Sequence, residues 1–247
     1  MVEPFMRNLS LRTGSSGPLV RDLQILLNNR LNPCPNLKTN GFFSTQTEKA
    51  LQTFQNCLWL EPDGIAGPCT LDGIYETEIH PPILHNVPYI SQLTPALRWA
   101  AATAMLTHST LQYVRRLTPA NLLTSNGGLI ASMNREERTS LYTAFARAHQ
   151  LTYHAPQSWP VDSLITLLRA GPVMAEFALP AADLRRTSSA WHYLVIVGAR
   201  GSHEADGRTT TLRLHDPDDS HGRGIQSLLY ATLLRRAHFG LIGLFTR

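Results

Sequence analysis

Asn40-Gly41-Phe42-Phe43-Ser44-Thr45-Gln46-Thr47 and Asp63-Gly64-Ile65-Ala66-Gly67-Pro68-Cys69-Thr70 are two copies of one pattern, Asn or Asp, then Gly, an apolar residue, x, a small residue, x, x and Thr. The first pair of each copy suits a tight turn, because Asn or Asp beside Gly tolerates a positive φ. Each turn leads into a helix start. Thr45 with Glu48 forms a capping-box pattern, and Pro68 fits the first turn of the second helix. After the first copy, Ala50, Leu51, Phe54 and Leu58 recur at helical spacing. Upstream, Leu19, Leu23, Leu26 and Leu27 make another amphipathic helix, introduced by Gly14-Ser15-Ser16-Gly17. These segments predict a small three-helix bundle over roughly residues 8–78.

That unit resembles the peptidoglycan-binding domain 1 family. The matching residues are Leu11 and Gly14, Gly17 with Val20, Leu23-Gln24, Gly41-Phe42, Thr47, Ala50, Phe54-Gln55, then Asp63-Gly64-Ile65 with Gly67 and Thr70. The resemblance implies a helical module that docks cell-wall glycan or stem peptide and carries an attached domain to the wall. Most of the matching residues serve helix packing and turns.

Glu78 to Asn86 breaks the periodicity, and Pro81-Pro82 cannot continue a helix. We place a first domain at 1–78, a linker at 79–86 and a second domain at 87–247. In the second, Val87-Pro88-Tyr89-Ile90 reads as a strand. A helix follows Thr94-Pro95, and further helices are expected at 139–149 and 161–169. Strands are expected at Val173–Phe177, His192–Val197, Thr210–Leu214 and Leu241–Phe245. Helices followed by a run of turn-linked strands predict an α+β domain with an antiparallel sheet.

A thiol hydrolase needs a nucleophile at a helix N-terminus, a His to shuttle its proton, a carboxylate or amide to orient that His, and an amide for the oxyanion. Gln92 precedes the helix that contains Arg98-Trp99-Ala100-Ala101, His192 opens an apolar strand, and Asp216 ends the next one. With Val87-Pro88, Met105, Gly171-Pro172, His192-Tyr193 and Asp216-Pro217, this order resembles the papain-like cysteine peptidases, in particular their C39-like and AvrRpt2-like branches. The resemblance implies Gln92, His192 and Asp216 as the family-equivalent catalytic positions. It also implies a cysteine six residues after Gln92, where this chain has Arg98. A guanidinium is not a nucleophile. The second domain contains no cysteine, so the resemblance extends to the fold and stops at the chemistry.

Arg98, Trp99 and Trp191 are the candidate ligand-binding residues, with core packing as the competing role of the two tryptophans. His215, Asp216, Asp218, Asp219 and His221 could be drawn as a metal cluster. Adjacent strand residues face opposite sides, so the reading taken is a solvated loop with one inward Asp, and no metal or other cofactor is expected. Arg185-Arg186 and Arg235-Arg236 read as solvated surface.

The 247 residues are 43% hydrophobic and 16% charged, a globular composition. Residues 1–80 hold six basic and eight acidic side chains, while residues 81–247 hold sixteen and ten. Every basic residue of the second part is Arg, none lies in a run longer than two, and none is interleaved with aromatics, which argues against a nucleic-acid partner. No apolar run is long enough to span a bilayer. The N-terminus lacks the apolar core of a secretory leader, so a bacterial protein reaching the wall or periplasm by a specialised export route, or released by lysis, is expected. Cys34, Cys57 and Cys69 fit no zinc spacing. One disulfide with a free thiol, or three reduced thiols, both remain open.

Three functions follow. The first is a peptidoglycan-targeted pseudoenzyme that binds a wall fragment, a peptide or a protein partner, such as a cognate immunity or secretion protein in an antibacterial effector system. The second is an active peptidase or amidase cutting cell-wall stem peptides or protein, which requires that Arg98 be a substitution of an active parent or that another residue do the chemistry. The third is a pure interaction protein.

Overall fold

The computed structural model describes residues 9–77, 80–132, 134–179, 190–205, 207–219, 224–237 and 240–247. Arg185-Arg186 and His221 lie outside them.

The first module is built from α1 (Pro18–Arg30), α2 (Thr45–Cys57) and α3 (Pro68–Tyr75) around Val20, Leu23, Leu27, Phe43, Leu51, Phe54 and Ile74. The repeat seen in the sequence is a repeated clamp. Gln24 of α1 accepts from Gly41 N (3.0 Å) and donates to Phe42 O (2.9 Å) and Thr47 Oγ1 (3.2 Å). Gln55 of α2 accepts from Gly64 N (2.9 Å) and donates to Ile65 O (3.0 Å) and Thr70 Oγ1 (3.0 Å). Each buried amide thus satisfies the turn ahead of the next helix and the Thr inside that helix, which explains why Gln, the Gly turn and Thr recur at matched offsets. The cap of α2 is Ser44, which accepts from Thr47 N, and not Thr45. Glu48 instead accepts from the Thr13 hydroxyl at 2.8 Å.

The second module is a seven-stranded sheet covered by helices on both faces. Its strands are β1 (Ile83–Leu84), β2 (Thr152–Gln157), β3 (Val173–Leu179), β4 (Ala190–Gly201), β5 (Thr210–His215), β6 (Ile225–Leu229) and β7 (Ile242–Thr246). The order is β2-β7-β3-β4-β5-β6, with β1 on β4, and every pairing is antiparallel. One face packs on α4 (Arg98–Thr107), α5 (Leu111–Leu117) and α6 (Arg135–Ala148) through Met174, Tyr193, Val195 and Phe245. The other packs on α7 (Val161–Ala170) and α8 (Tyr230–Arg236) through Val173, Phe177, Leu194, Ile196 and Leu244. Burial on both faces is why β3 and β4 read as mostly apolar runs, Glu176 and His192 excepted, rather than as an alternation. The architecture is α+β with an antiparallel sheet.

Val87–Ile90 is not a strand. Pro88 has no N–H to give to a ladder, and the segment runs extended beside the sheet, with the Tyr89 hydroxyl donating to Asp216 O at 3.0 Å and Gln92 N to Pro217 O at 2.8 Å. Pairing occurs earlier, at Ile83↔Ala199 and Leu84↔Gly198. Gly198 permits that crossing, since a Cβ there would lie 2.5 Å from Ile83 O.

The modules touch directly. The Arg200 guanidinium donates to Leu58 O and lies 5.2 Å from the Trp59 ring centroid, while Leu229 N donates to Glu61 Oε2 at 2.9 Å. Burial raises the Glu61 carboxyl pKa at this junction. Cys34 and Cys57 are exposed free thiols, and Cys69 is buried with its Sγ donating to Arg208 O at 3.8 Å.

Candidate functional site

α4 begins at Arg98, directly after a 3-10 turn over Pro95–Leu97, and its first turn has neither a side-chain cap nor an acidic residue. A helix N-terminus disfavours a cation by roughly 0.3–1 kcal/mol when exposed. Arg98 offsets this with three hydrogen bonds. Its Nε donates to Gln92 Oε1 at 3.1 Å, Nη1 to Trp191 O at 3.0 Å, and Nη2 to Asp218 Oδ2 at 3.1 Å. The last is an ion pair with side chains 15% and 28% exposed, so it is partly shielded from solvent. The guanidinium therefore ties the start of α4 to the start of β4 and to the turn after β5.

The same turn holds the second pair. His192 Nε2 and Asp216 Oδ2 are 2.8 Å apart, with side chains 11% and 13% exposed. Asp216 Oδ1 also accepts from Asp218 N at 2.9 Å, which sets the spacing between the two carboxylates. Gln92, Arg98, His192 and Asp216, far apart in sequence, thus meet at one end of the sheet. The carboxylate facing Arg98 is that of Asp218 rather than Asp216, because His192 occupies Asp216. Sequence reading places Asp218 only in a solvated loop. Its signal is its position two residues past Asp216, where a short turn brings both acids to the same place.

The two tryptophans separate. Trp99 is 1% exposed, donates from Nε1 to Gly127 O at 3.1 Å, and stands edge-on to Phe145 with ring centroids 5.7 Å apart. It is a core residue and no part of a ligand wall, because a residue one step along α4 from Arg98 turns about 100° toward the sheet. Trp191 is half-buried, carries the Arg138 guanidinium 5.0 Å from its ring centroid, and lines a cleft of about 450 Å³. On the other face of β4, His192 and Asp216 border a hollow of about 380 Å³ with Phe177, Gln226 and Arg236. Among the described residues no group of three or more His, Cys, Asp or Glu side chains is arranged to hold a metal. His215 is buried, and desolvation, with Arg213 adding to it, lowers its pKa to about 4.

The charged residue that sequence reading passes over is Glu176, in the middle of the buried strand Val173-Met174-Ala175-Glu176-Phe177. It is fully buried and lines the Trp191 cleft. Burial raises its pKa to about 7, against the lowering effects of Arg138 and of the Tyr153 hydroxyl, which donates to Oε1 at 3.1 Å. Between about pH 4.5 and 7 the folded chain therefore keeps a proton that the unfolded chain has lost, so Glu176 makes stability fall as pH rises through this window. His149 and His215, both lowered to about 4 mainly by burial, act oppositely between about pH 4 and 6.5, where only the unfolded chain is protonated. Glu176→Gln should remove the opposing effect, so urea unfolding at pH 5 and pH 7.5 should show a larger stability gain on raising the pH in the variant than in the wild type. Identical pH profiles would contradict this assignment.

Residues 82–230 match the family described as "Papain-like cysteine protease AvrRpt2", and residues 16–73 match the "Putative peptidoglycan binding domain" family. A curated relative, the Zinc D-Ala-D-Ala carboxypeptidase of Streptomyces albus G, is 33% identical over 128 residues, covering 48% of this chain and 50% of the relative. The chain thus spans about half the length of that relative. Among solved structures, the SleB N-terminal domain aligns with 28% of this chain and 93% of its own at 33% identity and a TM-score of 0.26. A C39-like peptidase from Bacillus anthracis aligns with 68% of this chain and 98% of its own at 11% identity and a TM-score of 0.41.

Proposed function

The chain belongs to the papain-like cysteine proteases of the AvrRpt2 type, and we propose that it is a wall-directed member whose papain-like module binds where its relatives cleave. The carrying observation is the placement of Arg98. At the helix start where the nucleophile is expected stands a guanidinium, held by Gln92, Trp191 O and Asp218. Gln92, the residue expected to serve an oxyanion, is engaged by that guanidinium. In this reading Arg98 is an electrostatic anchor, and Gln92, His192 and Asp216 are hydrogen-bonding neighbours of a bound peptide or wall fragment. Residues 1–78 form the wall-docking module, and the binding module begins with β1 at Ile83 rather than at residue 87. The peptidoglycan-binding family match and the curated relative named as a D-Ala-D-Ala carboxypeptidase support the cell wall as the place of action.

One observation favours a second reading. The His192–Asp216 contact at 2.8 Å is what an active thiol hydrolase would keep, and on that ground Arg98 is a replacement within an otherwise competent site. The purified chain, incubated with peptidoglycan sacculi, is expected to sediment with them and to release no soluble peptide or free amine. Release that disappears in His192→Ala would overturn the binding reading in favour of hydrolysis. A chain that stays in the supernatant would remove the wall as its target.

A further inference from the structure

Glu176 is built into the second module at a cost. Burying a carboxylate is unfavourable by several kcal/mol unless it is paired. No Lys, Arg or His among the described residues forms an ion pair with it. The fold nevertheless keeps space for it. Glu176 pairs in register with Gly243 of β7, where a Cβ would overlap Glu176 Oε1, so any larger residue would displace the carboxylate. Tyr153 donates to Oε1, while Oε2 is buried with no hydrogen-bond partner among the described residues. A buried acceptor left in this state calls for a donor.

The cleft that Glu176 lines has the complementary parts. Trp191 forms an aromatic wall, and Arg135 and Arg138 of α6 stand on the lining. Arg138 Nε is likewise buried without a hydrogen-bond partner among the described residues. A carboxylate without an ion-pair partner, a guanidinium with donor capacity to spare and an aromatic face within one cleft of about 450 Å³ describe a receptor for a small zwitterion. A cation alone would leave the two arginines unused, and an anion alone would face Glu176.

We propose that this cleft binds an α-ammonium-carboxylate group, its ammonium received by Glu176 and its carboxylate by Arg135 and by Arg138, whose guanidinium stands over the Trp191 ring. The source of that group rests on the wall reading above: the diamino acid of a stem peptide ends in a free ammonium and carboxylate on one carbon. The cleft lies beside the Arg98 cluster, since Trp191 supplies its ring to the cleft and its carbonyl to Arg98. A stem peptide seated on Arg98 would have its diamino-acid end within reach of Glu176.

The test uses the full chain and free meso-diaminopimelate, followed by calorimetry and by the indole N–H signal of Trp191. Binding that shifts this signal is expected. The probe acetylated at both amines and the probe amidated at both carboxyls should each bind at least tenfold more weakly, and Glu176→Gln should weaken the parent probe to the same extent. If that variant does not fold, the two blocked probes on the wild-type chain still decide. Absence of binding, or blocked probes that bind as well as the parent, would overturn the proposal. Sedimentation with sacculi is run in parallel. A chain that sediments but ignores the probe refutes the cleft and leaves the wall reading standing. A chain that binds the probe but does not sediment supports the cleft and refutes the wall reading.

Discussion

Arg98→Cys should yield a thiol that iodoacetamide alkylates near neutral pH about tenfold faster than it alkylates Cys34 or Cys57 of the same chain. Cys34 and Cys57 are exposed and serve as internal references for ordinary thiols. The new thiol would stand at the N-terminus of α4, where the backbone N–H groups of the first turn favour a thiolate, and close to the turn that carries the His192–Asp216 pair. Lowering a thiol pKa from about 8.5 to about 7 raises the thiolate fraction at neutral pH more than tenfold, partly offset by lower intrinsic nucleophilicity. Asp218 acts against this, because removing the guanidinium leaves its carboxylate next to the new sulfur. Arg98→Cys combined with Asp218→Asn should therefore react faster than the single variant. Peptide-resolved mass spectrometry over a time course reads each site separately. A rate at the introduced thiol no greater than that of Cys34 would mean that this helix start no longer activates a nucleophile.

Trp99→Ala should cost about 3–5 kcal/mol of stability, the loss typical of a large aromatic removed from a packed core. Trp99 is 1% exposed, edge-on to Phe145, and its indole satisfies the Gly127 carbonyl, which the substitution would leave without that donor. Trp191→Ala should cost only about 1–2 kcal/mol, since that ring is half-buried and loses its contact with the Arg138 guanidinium and its edge contact with Tyr142. Urea denaturation of both variants tests the difference. Equal losses would mean that the two rings share one environment, contrary to their separation into core and cleft.

Local patterns carried much of the architecture. The duplicated turn-and-Thr motif announced the first bundle, and the mostly apolar stretches at 173–177 and 192–197 announced the central strands. Local rules misled where a residue's partner is remote. Val87–Ile90 has strand composition, but Pro88 and the bonds from Tyr89 and Gln92 to the turn after β5 hold it outside the ladder. Thr45 fits a capping box, yet Ser44 does the capping because Glu48 is drawn to Thr13 across the bundle.

For the candidate site, the order Gln92, Arg98, His192 and Asp216 and the lack of any cysteine after Cys69 could be read from the chain alone, because residue identity and spacing are linear properties. Tertiary structure alone decided which carboxylate meets which cation. Sequence reading singles out Asp216 and leaves Asp218 in a solvated loop, whereas a turn two residues long assigns the first to His192 and the second to Arg98. It also decided that Trp99 faces the core while Trp191 faces a cleft, and that Glu176 stands beneath that cleft opposite a glycine of a strand distant in sequence. Partner choice of this kind depends on the register of strands far apart in the chain, and pairwise electrostatics acts only once the fold has set the distances.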